Sequence, residues 1–227
     1  NNNRPKGYFG FAWNNLMNGK LNFHIIGHFG PQGNNGQTRY DPAGVTASAG
    51  VGPAANGVMQ YNADFLASYK LNDKMTITVD ATYLHNDNTP GLSFKTYDDL
   101  YGITTYFSYD INPSLTFNAR GEIFRDNTGA TILEYSSFTS FTRAITNQPY
   151  PYYQAAPTTY GELTIGASYR PEFINKHVHF GQFTFRPEIR LDKSLNGTRP
   201  FNQALPAGQT QGVVNNGMEN MLWFNAD

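Results

Sequence analysis

The ionisable residues whose spacing could do chemistry fall mostly in alternating runs. Arg186, Glu188, Arg190 and Asp192 recur at every second position with alternating sign, and Arg120 and Glu122 repeat that spacing earlier in the chain. On an extended backbone this period places all of them on one face. Such a face can act as a charged wall that discriminates between ions, or its charges can pair off and satisfy one another. Both roles stay open from sequence. Asp64, Asp80 and Glu162 occupy the same kind of position in other segments. His24 and His28 share a face and read as polar lining. His177 and His179 also share a face and supply half of a metal site at most; their neighbours Asn175-Lys176 look like a turn, so no metal is assigned. A serine nucleophile needs a His within reach and a third residue to orient it. No His-x-Ser occurs, no catalytic constellation is found, and neither an enzyme nor a cofactor is expected. Asn86-Asp87-Asn88 and Asp126-Asn127-Thr128-Gly129 lack the ligand spacing of a calcium loop and read as turns. Asn196-Gly197-Thr198 matches a glycosylation acceptor, a pattern too common to carry weight.

The elements that position these residues are strands. Alternation of period two dominates, and nine strand-like segments are read at 7–16, 20–29, 58–71, 75–86, 99–111, 115–125, 159–170, 181–192 and 218–227. In the third, Met59, Tyr61, Ala63, Phe65, Ala67, Tyr69 and Leu71 oppose Gln60, Asn62, Asp64, Ser68 and Lys70, with Leu66 as the apolar exception. The fourth sets Met75, Ile77, Val79, Ala81 and Tyr83 against Thr76, Thr78, Asp80 and Thr82. The sixth sets Leu115, Phe117, Ala119 and Ile123 against Thr116, Asn118, Arg120 and Glu122. The eighth sets Phe183, Phe185, Ile189 and Leu191 against Thr184, Arg186, Glu188, Arg190 and Asp192. In these four segments the apolar face is expected to be free of ionisable residues. Four strands in agreement mean a two-sided sheet.

The connections alternate in length. Short turns are expected at Asn18-Gly19-Lys20, Asn72-Asp73-Lys74 and Asn112-Pro113-Ser114. Each is followed by an apolar–Asn/Thr–apolar triplet: Leu21-Asn22-Phe23, Met75-Thr76-Ile77 and Leu115-Thr116-Phe117. Long loops are expected at about 30–57, 87–98, 126–158 and 193–217. Short turns at one end and long loops at the other are the asymmetry of a membrane barrel. Ser68-Tyr69, Ser108-Tyr109 and Ser168-Tyr169 each fall before a turn, with Tyr on the apolar face, as an interfacial aromatic girdle requires.

Composition narrows the class. Charged residues make up 15% of the chain, against about 25% in an ordinary soluble domain. The polarity is carried by Asn, Thr, Gln and Ser, and aromatics reach 15%. A mean hydropathy of -0.50 suits a barrel, whose strands show lipid at alternate residues. A net charge of -1 gives no electrostatic case for nucleic acid. With no cysteine, a disulfide framework and thiolate-bound metal are excluded. No apolar run reaches the 18 or so residues of a membrane-spanning helix. A soluble sandwich or lipocalin-like barrel, for instance one that binds carbohydrate, is the competing architecture. Against it stand the small residues on the apolar face (Ala63, Ala67, Ala81, Ala119, Gly121, Gly166, Ala167) and a polar face without a Lys/Glu coat.

The stretch Phe183-Thr184-Phe185-Arg186-Pro187-Glu188-Ile189-Arg190-Leu191-Asp192, with Ser194 and Asn196-Gly197, resembles the penultimate strand and loop of the OmpL-like β-barrel porin family. The hairpin at Leu66–Tyr83 and the run Ala119–Asp126 are similar to the same family. The resemblance implies a closed barrel with a transport role and says little of substrate. The fold expected over 1–227 is therefore an all-β, antiparallel outer-membrane β-barrel, a single domain forming a C-terminal portion of a longer barrel. Its expected partners are outer-membrane lipid and small polar solutes or ions, with self-association left open. The expected lumen lining comprises Asp64, Asp80, Arg120, Glu122, Glu162, Arg186, Glu188, Arg190 and Asp192, around a weakly selective passage. A structural or adhesive barrel with a plugged lumen and working loops is the alternative. Pro187 requires a bulge or break, since it cannot donate to a ladder.

Nine is an odd count, single-chain bacterial barrels have even ones, and family members usually end on an aromatic-terminated strand that this sequence lacks. The natural polypeptide is therefore expected to exceed 25.3 kDa, the mass of these residues. Mass spectrometry of the intact protein checks this; a peak at that mass would refute it.

Overall fold

Alternating residues and Asn-led turns fold here into an antiparallel meander. The computed structural model describes residues 5–31, 59–87, 97–127, 129, 152–172, 183–203 and 211–226. His177, His179 and large parts of the four expected loops lie outside them. The strands are β1 (Gly7–Asn15), β2 (Leu21–Pro31), β3 (Met59–Lys70), β4 (Met75–Asp87), β5 (Tyr97–Asn112), β6 (Leu115–Asp126), β7 (Tyr152–Ala155), β8 (Thr158–Tyr169), β9 (Pro187–Ser194), β10 (Gln211–Val214) and β11 (Asn220–Ala226). Nine of them form one sheet in the order β1-β2-β3-β4-β5-β6-β8-β9-β11. Every neighbouring pair is antiparallel, and the sheet is open between β1 and β11 among the described residues. β3, β6 and β8 have 12 residues each. At about 3.3 Å per residue they reach roughly 40 Å, enough to cross a bilayer when tilted.

The nine expected segments correspond to the nine strands of this sheet, and their turns are built as the residue types suggest. Asn18 and Gly19 both take positive φ (59° and 82°), the conformation that Asn-Gly supplies to a tight hairpin turn. At the next two turns the same side-chain device recurs. Lys74 N–H donates to Asn72 Oδ1 and Ser114 N–H donates to Asn112 Oδ1, both at 2.9 Å.

The ladders bring two separate sequence repeats together. Leu21 pairs with Tyr69, Met75 with Tyr109 and Leu115 with Tyr169. Beside each pair, the N–H of the residue after Tyr donates to the carbonyl of the residue before the apolar one: Lys70 to Lys20, Asp110 to Lys74, Arg170 to Ser114, all at 2.8 Å. The three tyrosines thus hold equivalent register positions, each opposite the first residue after a short turn.

One face is apolar along the middle of the strands, and it is exposed. Phe9, Phe11, Trp13, Ile103, Ile123 and Leu163 are each about half accessible, whereas the buried apolar side chains among the described residues are Leu100 and Phe201. Asp126, Thr158, Glu162, Asp192 and Ser194 are buried instead. A water-soluble domain distributes its residues the other way. The polar face is joined by hydroxyl and carboxylate contacts between strands: Thr78 to Ser68 at 3.0 Å, Thr82 to Asp64 at 2.6 Å, Thr116 to Asp110 at 2.7 Å.

Four expectations need correction. The eighth segment does not run from 181 to 192: β9 begins at Pro187 and continues to Ser194. Pro187 has no N–H, and the ladder to β8 lapses around it. It resumes in the same register at Tyr169 and Phe185, which exchange two bonds of 2.8 Å. Gly166 permits the close approach there, since a Cβ on it would lie 2.8 Å from the Pro187 carbonyl oxygen. Second, His85 and Arg125 share the parity of the apolar face, paired with Tyr61 and Tyr101. Both sit at the loop ends of their strands, beyond the apolar band, where a polar head reaches water. Third, the loops expected at 126–158 and 193–217 each contain a short strand; β7 and β10 pair in parallel, Tyr152 with Gln211 through Ala155 with Val214. Tyr-Tyr and Val-Val favour extended backbone, and four residues are too few to display a period. Fourth, the loop after β9 starts at Leu195, two residues later than expected.

Cysteines at Phe65, Val79, Phe117 and Phe185 are expected to react with a lipid-soluble reagent. Those at Asn62, Thr78, Asn118 and Arg186 should take a water-soluble one. Labels that do not sort by parity would show the register to be wrong, because a slip of one residue inverts every assignment.

Candidate functional site

The charged residues of the polar face converge where β6, β8, β9 and β11 meet. Cross-strand pairing sets Glu122 opposite Glu162, and Glu162 opposite Asp192. The same row continues through Thr104 to Asp80. Like charges held directly opposite one another are destabilising. The adjacent row supplies the compensation: Arg120 lies opposite Thr164, and Thr164 opposite Arg190.

The guanidinium of Arg120 forms ion pairs with Glu122 on its own strand and Glu162 on the next. The Thr164 hydroxyl donates to Glu162 as well. Arg120 also lies over the Tyr106 ring, 5.6 Å from its centroid. Arg190 grips Asp192 in a forked arrangement, Nε to Oδ2 at 2.9 Å and Nη2 to Oδ1 at 2.8 Å. The Trp223 indole N–H donates to the same carboxylate at 2.9 Å. Three carboxylates and two guanidiniums thus form two adjoining sets, one joining β6 to β8 and the other joining β9 to β11.

Beside this network is a concavity of about 180 Å³. Its charged side is Glu122, Glu162, Arg190 and Asp192; its aromatic side is Phe124, Tyr160 and Phe201. Phe124 and Tyr160 are cross-strand partners with rings 6.3 Å apart, and Phe201 meets Tyr160 edge-on at 5.9 Å. A second concavity, about 320 Å³, lies between β9 and β11 over Glu188, Arg190, Asp192 and Asn225.

Of the residues singled out from sequence, Arg120, Glu122, Glu162, Arg190 and Asp192 come together. Asp64 is elsewhere on the face and accepts from Thr82. Asp80 shares the acidic row but makes no ion pair among the described residues. Glu188 makes a long contact of 3.5 Å with Asn225. Arg186 precedes β9, is exposed, and has no ion pair among the described residues. The two polar-face histidines take separate amide partners, His24 with Asn14 at 3.3 Å and His28 with Gln60 at 3.1 Å.

Sequence reading missed the aromatic side. Phe124 was open to detection, since it shares the parity of Arg120 and Glu122. Phe201 was not, because it lies in a region expected to be a loop. Trp223 needed the β9–β11 register to be placed opposite Arg190.

Strands of membrane-crossing length, an exposed apolar face and a charged, hydrogen-bonded polar face define a porin-like β-barrel protein. Residues 1–219 match the family described as "Putative beta-barrel porin-2, OmpL-like". The chain belongs to that family. No curated protein and no solved structure matches it.

Arg120→Met leaves Glu162, whose side chain is 4% exposed, without its cation. Removing one member of a fully buried pair costs about 3–5 kcal/mol; with Arg120 itself 26% exposed, about 2–3 kcal/mol is expected. Urea unfolding in lipid vesicles measures it, and Arg120→Met with Glu162→Gln should recover most of the loss. An unchanged midpoint for the single variant would show that the network carries no stability.

Proposed function

We propose that the polar face lines a water-filled passage through the bacterial outer membrane, and that the protein is a weakly selective channel for small polar solutes or ions. The carrying observation is the inverted distribution of residues: large apolar side chains exposed on one face, ion-paired carboxylates and guanidiniums on the other. An apolar exposed face requires lipid, and a face with this many charges requires water. The lining of this reading is Asp64, Asp80, Arg120, Glu122, Glu162, Arg186, Glu188, Arg190 and Asp192. Most of the charge in the central network is internally compensated, which argues against strong ion selection. The acidic row from Asp80 to Asp192 leaves a mild preference for cations.

A plugged, structural or adhesive barrel is the second reading, and one observation favours it. Part of the segment after β9 lies on the polar face, with Phe201 buried there. Conductance separates the two.

In planar bilayers the full-length protein is expected to conduct with a reversal potential shifted slightly toward cations. Arg186→Ala with Arg190→Ala should strengthen that preference. Phe183→Ala with Phe185→Ala, on the apolar face, should leave it alone while weakening the barrel. Absence of conductance would refute the channel, and a parental reversal potential in the double Arg variant would refute the role of those two residues.

A further inference from the structure

The segment following β9 is built to leave the plane of the sheet. Leu195 N–H still donates to the Thr159 carbonyl at 2.8 Å, the last bond of the β8 edge. Asn196 then fastens the turn from both ends of its amide, accepting from Thr159 N–H at 3.1 Å and donating to the Pro157 carbonyl at 3.0 Å. Gly197 takes a positive φ of 73°, and the Thr198 hydroxyl lies 2.7 Å from those of both Thr158 and Ser194. Thr158 and Ser194 are buried, so this junction is a fixed one.

Beyond the junction the chain crosses toward β11. Phe201 and Met218 exchange backbone bonds of 3.2 and 2.7 Å. Gly217 makes the approach possible, since a Cβ there would sit 2.0 Å from the Phe201 carbonyl oxygen. The Phe201 ring is 3% exposed and packs on Tyr160, a polar-face residue of β8. The Phe201 end of the strap therefore lies on the side of the sheet that carries the charges, beside Glu122, Glu162, Arg190 and Asp192.

We infer that this strap, residues 195–201, narrows the passage and that the enclosed Phe201 ring is the anchor that holds it against the wall. The inference rests on the passage proposed above. A second layer of chain stacked on a sheet takes up about 10 Å, a large share of the width of a barrel lumen. A phenyl ring enclosed beneath such a layer meets no solute itself; it holds the layer to the wall, and the layer restricts by size.

The test uses the full-length protein in planar bilayers, with single-channel conductance and exclusion of neutral polyethylene glycols of graded size. Phe201→Ala is expected to raise conductance roughly twofold and admit larger polymers, leaving the reversal potential unchanged because no charge is altered. Phe201→Trp should lower conductance, and it keeps the inference testable where the smaller side chain fails to assemble. If the parent conducts and neither variant changes conductance or polymer cut-off, the constriction is refuted and the passage stands. If the parent is silent and Phe201→Ala conducts, the strap closes the lumen. That result upholds the role of Phe201 and overturns the open channel. If none conducts, the passage falls, and the constriction with it.

Discussion

A backbone amide surrounded by hydrocarbon has no water to bond, so a membrane-spanning strand must find all its partners on its neighbours. In this chain that requirement fixes a phase. Apart from a bulge at Asp110–Asn112 beside a turn, the eight consecutive pairings from β1 to β11 carry the same parity across the sheet, so an apolar residue on one strand meets an apolar-face position on the next. Even the lapse at Pro187 keeps register, with Tyr169 and Phe185 taking up the ladder on the far side. Which residues face each other across the strands follows from that shared phase.

The charged network is a direct product of it. Parity places Glu122, Glu162 and Asp192 side by side in one row, an arrangement that would repel if left alone. Two residues along each of β6 and β9 sit arginines whose side chains are long enough to reach back into the acidic row. The alternating signs of the sequence therefore become charge pairs within and between strands. Trp223 and Thr164 complete the donors, so Glu162 and Asp192, the two buried carboxylates of the acidic row, each have a neutral partner besides a guanidinium.

What was legible in the sequence was whatever depends on period two and on turn chemistry. The strands from β1 to β6 and β8, the three Asn-led turns and the Ser-Tyr positions were readable because each is a local pattern. The convergence of Arg120, Glu162 and Arg190 was not readable, since it depends on which strands adjoin and in what register. Phe201 was hidden for a further reason. A side chain in a region rich in Gly, Asn and Pro has no period to betray it, and its burial depends on a junction of hydroxyls and amides spread over Pro157–Thr198. β7 and β10 escaped notice because four residues cannot distinguish a strand from an extended loop.

The equivalence of the three Tyr contacts at the turn end has an architectural meaning. Each contact joins the strand leaving a short turn to the next strand of the sheet, using the same residue types and the same 2.8 Å backbone bond. The sheet is therefore assembled from interchangeable modules whose joints are alike, and a module can be added or lost without redesigning the joint. Barrel circumference in such a scheme is a matter of copy number, separable from the side chains that give each wall its character. The width of the sheet and the chemistry of its faces can then change on independent parts of the sequence.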